Sequence, residues 1–334
     1  MQDHEPRQPV KYETGRFLGH GTYATVKEAI DVETGEVYAC KIINKELIKG
    51  REYLVVNEIA ILNRLSRGHP NIVTLHDYFE TQHNLYLCFT LCTGGPLLDR
   101  ICLREEFNEV DAAGIVRTTF GALKYIHGAG IVHRDLKPEN LLFSTDGADA
   151  EIMIADFGLS SVLDEKLSLL TGICGTPSYM APEIFHLEGH GKPVDIWAMG
   201  VIAYYMLVGR TPFDRSTSQA ERRAIMAGDL EFDPREWACV SVVAQEFVCA
   251  CLTMDPAGRP TAEVALDHPW LASTTPHFVP DMLFDGRPLN LLPHLKRRFD
   301  EKSKMNLDRG QNSEPPTSGS GTRRFFQQWS CPAT

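Results

Sequence analysis

The sequence predicts an α+β chain of two lobes: a small β-rich N-terminal lobe carrying one helix, and a larger helical C-terminal lobe. Three observations predict it. From Tyr12 to Leu91 short β-rich runs dominate, broken by turn signals at Gly19/Gly21 and at Glu33-Thr-Gly-Glu36. One helical pattern interrupts them, with Leu54, Val55, Ile59, Ile61, Leu62 and Leu65 on a shared face. After Gly94-Gly95 the periodicity turns helical, most plainly over 109–129 and 195–208.

Each segment follows in order. Residues 1–11 are polar and hold two prolines, which predicts a disordered lead-in. Five strands and one helix fill 12–93, and the large lobe occupies 94–271. Within it, Ile196 to Val208 is the longest apolar stretch; it is too short to span a membrane and reads as a buried helix. Cys249 and Cys251 fall in an apolar helical pattern and are expected in the core. Residues 272–309 form a separate segment, basic and amphipathic from 286 onward, and 310–334 are expected to be a disordered tail. That tail opens on Gly310-Gln-Asn-Ser-Glu-Pro-Pro-Thr-Ser-Gly-Ser-Gly-Thr322, too low in complexity to bury a core.

Composition excludes several classes. The 334 residues carry a net charge of −11, whereas nucleic-acid binders show a basic surplus. Acidity of this size serves solubility and can steer basic substrates. Nine cysteines without paired zinc spacing, behind an N-terminus with no apolar secretory region, predict reduced thiols in the cytoplasm, with the nucleus as a second compartment. No DxDxDG loop is present, so the chain is not itself a calcium sensor. No association domain is evident, and a monomer is expected.

The most informative stretch is Ile131-Val-His-Arg-Asp-Leu-Lys-Pro-Glu-Asn-Leu-Leu142, followed by Ala155-Asp-Phe-Gly158. It sets Asp135, Lys137, Asn140 and Asp156 in the order and spacing that phosphoryl transfer from Mg-ATP needs. One carboxylate can accept a proton from an attacking hydroxyl. A lysine can neutralise charge on the moving phosphoryl group. An amide and a second carboxylate can hold magnesium through hard oxygens.

On these residues the chain resembles the eukaryotic protein kinases, over roughly residues 12–271. The resemblance implies the bilobal kinase fold, with ATP and Mg2+ in the cleft between the lobes. Leu18-Gly-His-Gly-Thr-Tyr-Ala-Thr-Val26 reads as strand, glycine turn and strand. Gly19 and Gly21 let backbone amides approach phosphates, and Ala24 stands where the family has a third glycine. Taken alone, such a turn is usually just a hairpin. Leu18, Val26 and Ala39 match the nucleotide-binding pattern, and Lys41 in Tyr38-Ala-Cys-Lys41 is expected to bridge phosphates and pair with Glu58. The match also makes Phe89 the gatekeeper at the back of the adenine pocket, and Thr90 to Cys92 the hinge.

By the same resemblance Asp135 is the base, Lys137 follows the serine/threonine pattern, and Asn140 and Asp156 are the magnesium ligands. His133 and Phe157 are expected to be structural, and Arg134 to be able to pair with a phosphate on the activation loop. That loop runs from Asp156 to Glu183; Thr176 should contact Asp135 and Lys137, Glu183 should pair with Arg259, and Asp195 should brace the backbone at His133 and Arg134.

Finer segments resemble the calcium/calmodulin-dependent protein kinase group: Asn57-Glu-Ile-Ala-Ile-Leu62, His69-Pro-Asn-Ile-Val73, Asp156-Phe-Gly-Leu-Ser160, Gly200-Val-Ile-Ala-Tyr204 and His268-Pro-Trp270. Two departures stand out. Gly94-Gly-Pro-Leu-Leu-Asp-Arg100 has Pro96 where the family has a glutamate that contacts ribose and a substrate arginine. Activatable relatives carry a threonine two residues before Cys-Gly-Thr-Pro; here that position is Gly172, and Thr171 precedes it. Phosphorylation by an upstream kinase then either uses Thr171 in a shifted register or is absent.

In this group a helical segment after the catalytic domain blocks the substrate groove until calcium/calmodulin removes it. Leu292, Phe299 and Met305 are candidate anchors, flanked by Lys296, Arg297, Arg298, Lys302 and Lys304. Asp300 and Glu301 interrupt the basic run, so a plain packing helix stays open as the alternative. Arg323-Arg-Phe-Phe-Gln-Gln-Trp329 is either a second docking peptide or a terminus without a role. The leading expectation is an active, autoinhibited serine/threonine kinase acting on protein substrates. The rival, a non-catalytic scaffold of the same fold, usually lacks at least one of the four residues Lys41, Asp135, Asn140 and Asp156, all of which are present.

Overall fold

The computed structural model describes residues 11–21, 24–65, 68–163, 169–272, 283–284, 287–293 and 295–297. Residues 1–10 and 298–334, including Phe299 and Met305, lie outside this set, as do most of 272–288.

The small lobe is one antiparallel sheet of five strands: β1 (Tyr12–His20), β2 (Ala24–Asp31), β3 (Val37–Asn44), β4 (Leu75–Glu80) and β5 (Asn84–Thr90), in the order β1-β2-β3-β5-β4. The β2–β3 turn shows how local chemistry makes it. The Asp31 carboxylate accepts the amides of Glu33 and Thr34 at 2.9 and 3.0 Å, and Gly35 supplies the left-handed φ of +73°. Between β3 and β4 run a 3-10 turn (Lys45–Ile48) and helix α1 (Glu52–Leu65). It buries Val55, Ile61, Leu62 and Leu65, and with them the charged Glu58. Side-chain alternation along β3 sends Lys41 and Ile43 to the face that joins the main core, while Cys40 faces the other side in a small cluster with Ala29 and Cys88.

The large lobe is helical. Its entry is the short strand β6 (Gly95–Pro96), followed by α2 (Leu97–Cys102) and α3 (Glu109–Gly128). Asn108 caps α3 in a reciprocal box with Asp111. Two small ribbons follow: β7 (Ile131–Val132) pairs with β10 (Ser161–Val162), while β8 (Leu141–Phe143) lies between β6 and β9 (Ile152–Ile154). They bracket the loop from His133 to Asn140. Beyond them come α4 (Pro182–His186) and α5 (Pro193–Val208), the latter buried from Val194 to its end. Then follow α6 (Ser218–Ala227), α7 (Pro234–Trp237), α8 (Val242–Cys251), α9 (Ala262–Leu266) and α10 (Pro269–Ala272). Helix α5 crosses α8 so closely that a Cβ on Gly200 would stand 2.6 Å from the Cβ of Cys251. Of the two cysteines expected in the core, Cys251 is buried and Cys249 is exposed. Two residues along a helix turn the side chain by about 200°, so they cannot share a face.

After α10 the chain returns to the large lobe. Leu291, Leu292 and Leu295 are buried against it, and Leu291 donates its amide to the Phe107 carbonyl at 2.7 Å. Asn290 Oδ1 accepts the Phe107 amide at 3.1 Å, and Lys296 Nζ reaches the Arg104 carbonyl at 3.3 Å. Leu292, expected as an anchor for a partner, is thus core in this conformation.

One buried ion pair ties the end of the activation loop to the helical core. Arg259 Nη1 and Nη2 donate to the Glu183 oxygens at 2.6 and 2.8 Å. The guanidinium also meets the carbonyls of Pro193, Thr253 and Met254 and lies over the Trp197 ring at 4.9 Å. Removing one partner leaves a buried charge alone. We expect Glu183→Ala to cost about 3–5 kcal/mol, read as a lower urea midpoint. A loss below about 1 kcal/mol would mean the pair behaves like an exposed one.

Candidate active site

The loop between β7 and β8 is shaped from below by one carboxylate. Asp195, in the first turn of α5, accepts the His133 amide at 2.9 Å and the Arg134 amide at 2.8 Å. His127 Nε2 sits 2.8 Å from its Oδ2. Burial pushes this carboxyl up, but His127 and the backbone donors outweigh it and hold it below the usual range. Arg134 is bent into the left-handed region at φ +68°, as is Asp156 at +65°. Such values cost a residue with a side chain about 1–3 kcal/mol and persist only where surroundings over-determine them.

The bent loop brings the sequence-predicted residues together. Lys137 Nζ lies 2.9 Å from Asp135 Oδ2 and donates to Thr176 Oγ1 at 3.0 Å. Thr176 in turn donates to Asp135 Oδ1 at 2.9 Å. Asn140 Nδ2 donates to the Asp135 carbonyl at 2.7 Å, which leaves its amide oxygen as an acceptor. Asp135, Lys137 and Asn140 are all buried. A carboxylate flanked by a lysine and a hydroxyl is an arrangement that can take a proton from an incoming alcohol.

Asp156 completes the floor. Its Oδ2 is buried and has no hydrogen-bond partner among the described residues. Burial pushes its carboxyl up to about 7, against the pull of the Lys41 ammonium. A dry carboxylate oxygen lacking a donor fits a hard divalent cation, and the amide oxygen of Asn140 is a ligand of the same kind. Phe157 is buried beneath, edge-on to His133 with ring centroids 5.0 Å apart, while His133 Nε2 is 3.1 Å from the Ala155 carbonyl. Both rings pack the site rather than enter it.

The roof comes from the small lobe. Lys41 Nζ bonds both Glu58 oxygens, at 2.7 and 3.0 Å, and lies 3.8 Å from Asp156. Burial works to lower this ammonium, but Glu58 and Asp156 outweigh it and hold it above the usual lysine value. Asn57 Nδ2 donates to the Ser160 carbonyl at 2.8 Å, so α1 is latched to the chain just beyond Gly158. Val26 stands directly opposite Lys41, and Phe89 opposite Ala39, so Val26, Ala39, Lys41 and Phe89 share one face of the sheet. Gly19 pairs with Val26, and Gly21 donates its amide to the Ala24 carbonyl at 2.7 Å; Thr22 and Tyr23 lie outside the described residues. Leu18 is half-buried beside this turn.

At the lobe connection the Thr90 amide donates to the Thr74 carbonyl, and the Thr90 hydroxyl meets His76 Nε2 at 2.9 Å, away from the cleft face. Cys92 touches Met153, with their sulfurs 3.7 Å apart, and burial pushes its thiol up to about 12. The sequence alone does not single out Met153 or His127. Met153 sits in a three-residue strand too short to carry a pattern, and His127 looks like one more residue of an apolar helix.

Thr171 is not drawn into this constellation; it is exposed, next to Leu170, which bonds His190 through both backbone groups. Gly172 has φ +102°, a conformation that a threonine would adopt only with strain.

Residues 12–271 match the protein kinase domain family. The chain is 53% identical over 297 residues to the calcium/calmodulin-dependent protein kinase cmkB of Emericella nidulans, covering 88% of this chain and 72% of that one. It is 48% identical over 301 residues to the calcium/calmodulin-dependent protein kinase type I of Schizosaccharomyces pombe, covering 90% and 87%. The human calcium/calmodulin-dependent protein kinase type 1B is 43% identical over 264 residues, covering 79% and 76%. The arrangement of Lys41, Glu58, Asp135, Lys137, Asn140 and Asp156 therefore sits in a chain that belongs to the protein kinases, among the serine/threonine kinases of the calcium/calmodulin-dependent group.

Proposed function

We propose that the cleft transfers the γ-phosphoryl group of ATP to serine and threonine hydroxyls of protein substrates, within a catalytic unit spanning 12–271. The observation that carries this is the chain of contacts Thr176–Asp135–Lys137 beneath an intact Lys41–Glu58 pair. Asp135 takes the proton of the acceptor hydroxyl, and Lys137 neutralises charge on the phosphoryl group in transit. Lys41, held by Glu58, meets the α and β phosphates, and the turn at Gly19 and Gly21 covers them. Asn140 and Asp156 would hold Mg2+, which supplies positive charge against the phosphate oxygens when bound. Leu18, Val26 and Ala39 enclose the adenine from above, Phe89 closes the back, and the backbone from Thr90 to Cys92 orients it.

We also propose that the segment 272–309 restrains the enzyme and that calcium/calmodulin releases it. The names of the relatives and the basic amphipathic sequence around Leu292, Phe299 and Met305 support this. The burial of Leu291, Leu292 and Leu295 favours the second reading, a packing element without a regulatory role. Thr171 is exposed and chemically open to an upstream kinase.

Asp135→Asn should lower kcat on the order of 10²–10⁴-fold while ATP binding survives, because Asp135 meets the acceptor and not the nucleotide. Normal turnover would remove Asp135 from its role. Asp156→Asn should instead weaken magnesium-dependent nucleotide binding, measured by fluorescence titration at several magnesium concentrations.

Specificity gives the next test. A charge-assisted pair is worth roughly 1.5–3 kcal/mol, and Pro96, buried at the start of α2, offers no carboxylate to a substrate arginine. Replacing an arginine three residues before the phosphoacceptor by alanine should change kcat/KM by less than about tenfold. A ratio above about a hundredfold would show that another acidic residue has taken the role.

For regulation, truncation after about Arg287 should raise basal activity and abolish calmodulin binding. Phe299→Asp should break that binding by placing a charge on the apolar face. Equal activity with and without calcium/calmodulin, unchanged by truncation, would leave the packing element as the correct reading.

A further inference from the structure

The outer face of the small lobe holds two thiols that the chemistry of the cleft does not use. Cys40 on β3 stands directly opposite Cys88 on β5 in the antiparallel register. Both side chains point away from Lys41, and they are 4% and 0% exposed. They form a small core of their own with Ala29, packed against Tyr12, Tyr38, Ile42 and Tyr86. An aromatic cover closes over it. Tyr12 stacks on Phe79 at 5.7 Å, and Phe79 stacks on Tyr86 at 4.7 Å. Tyr12 is held down by the Asp77 carboxylate at 2.9 Å, which also binds Lys11.

Each thiol acts on the other's proton: the neighbouring Cys88 draws Cys40 below the ordinary thiol value against the effect of burial, while the neighbouring Cys40, together with burial, pushes Cys88 above it. The pair therefore loses its first proton as a unit. Directly opposed residues on antiparallel strands have Cα atoms about 4.5–5.5 Å apart, inside the roughly 4.4–6.8 Å that disulfides span. Closing the bond asks that the paired Cβ atoms approach from about 4.5–5.5 Å to the roughly 3.5–4.5 Å of a disulfide. Cys92 lacks this setting, since its sulfur faces a methionine.

We infer that Cys40 and Cys88 are a redox site, a cross-strand dithiol that hydrogen peroxide closes into a disulfide stapling β3 to β5. The steps balance. The Cys40 thiolate attacks one peroxide oxygen; the O–O bond breaks, and the departing hydroxide takes up a proton to leave as water. The resulting sulfenic acid is attacked by the Cys88 sulfur; the S–S bond forms, the S–O bond breaks, and the hydroxide leaves as water with the Cys88 proton. Two thiols are oxidised and one peroxide is reduced to two waters. The edge at Lys11, Tyr12 and Asp77 is where the aromatic cover must part to admit the oxidant, and Lys11 is exposed there. Because the bond forms on the face opposite Lys41 and Phe89, it stiffens the sheet without entering the cleft.

The test uses the full chain. It is treated with a small excess of hydrogen peroxide, alkylated with iodoacetamide, unfolded, digested with trypsin and mapped by tandem mass spectrometry. The expected product is a dithiothreitol-reversible link between the peptide ending at Lys41 and the peptide containing Cys88. Recovery of Cys40 and Cys88 as alkylated thiols, under conditions that oxidise the exposed Cys249, overturns the inference; so does either one paired with a different cysteine. The mapping needs no variant. The second readout is the thermal midpoint of peroxide-treated protein with and without dithiothreitol. The staple should raise it by at least about 4 °C, and Cys40→Ala should lose the rise. An unchanged midpoint in linked wild-type protein overturns the stapling role.

Discussion

The site depends first on the buried carboxylate of Asp195. Two backbone amides and one imidazole converge on it, and a carboxylate this deep is tolerated only because it is so fully bonded. Hydrogen bonds to a charged group contribute about 1.5–3 kcal/mol each, enough to offset the strain of Arg134 at φ +68°. The left-handed turn is what aims Asp135 and Asn140 inward while Arg134 turns toward the Leu159 carbonyl. Without Asp195 the loop loses both amide bonds and the reason to keep its shape. Catalytic geometry here begins in a helix below the cleft.

The second constraint is electrostatic and joins the lobes. Glu58 and Asp156 face Lys41 in a buried space, so two carboxylates share one ammonium. The tighter bond goes to Glu58, with both oxygens engaged. Asp156 is left with an orphaned oxygen and a carboxyl pushed up to about 7. Such a group is poorly satisfied by protein alone, which is the condition expected of a cation ligand before the cation arrives. The same charges set α1 in place, since Glu58 is carried on it and Asn57 latches to Ser160. The helix position and the charge state of the site are therefore one property.

Much of this was legible because the information is local. The run from Ile131 to Leu142 holds its residues within one loop, so spacing alone names them. The alternation of β3 and the face of α1 likewise follow from period. What sequence reading could not reach is non-local or depends on backbone angle. Nothing in the motif around His127 distinguishes it from its apolar neighbours, yet it supports Asp195 from 68 residues away. The contact of Leu291 with Phe107 joins segments with no common pattern. Gly172 reads as a missing threonine in sequence, while its φ of +102° shows a backbone built for glycine.

The contact of Leu291 with Phe107 bears on the proposed regulation. Exposing one buried leucine costs about 1.5–3 kcal/mol, and Leu291, Leu292 and Leu295 are all buried against the large lobe. Withdrawing all three would cost about 5–9 kcal/mol. At about 1.4 kcal/mol per tenfold, this would weaken any partner that needs them by some three to six orders of magnitude relative to the free peptide. A partner that takes Phe299 and Met305 but leaves the three leucines docked avoids that cost. Under the proposed mechanism the anchors that avoid this cost therefore lie beyond Leu295 in the sequence.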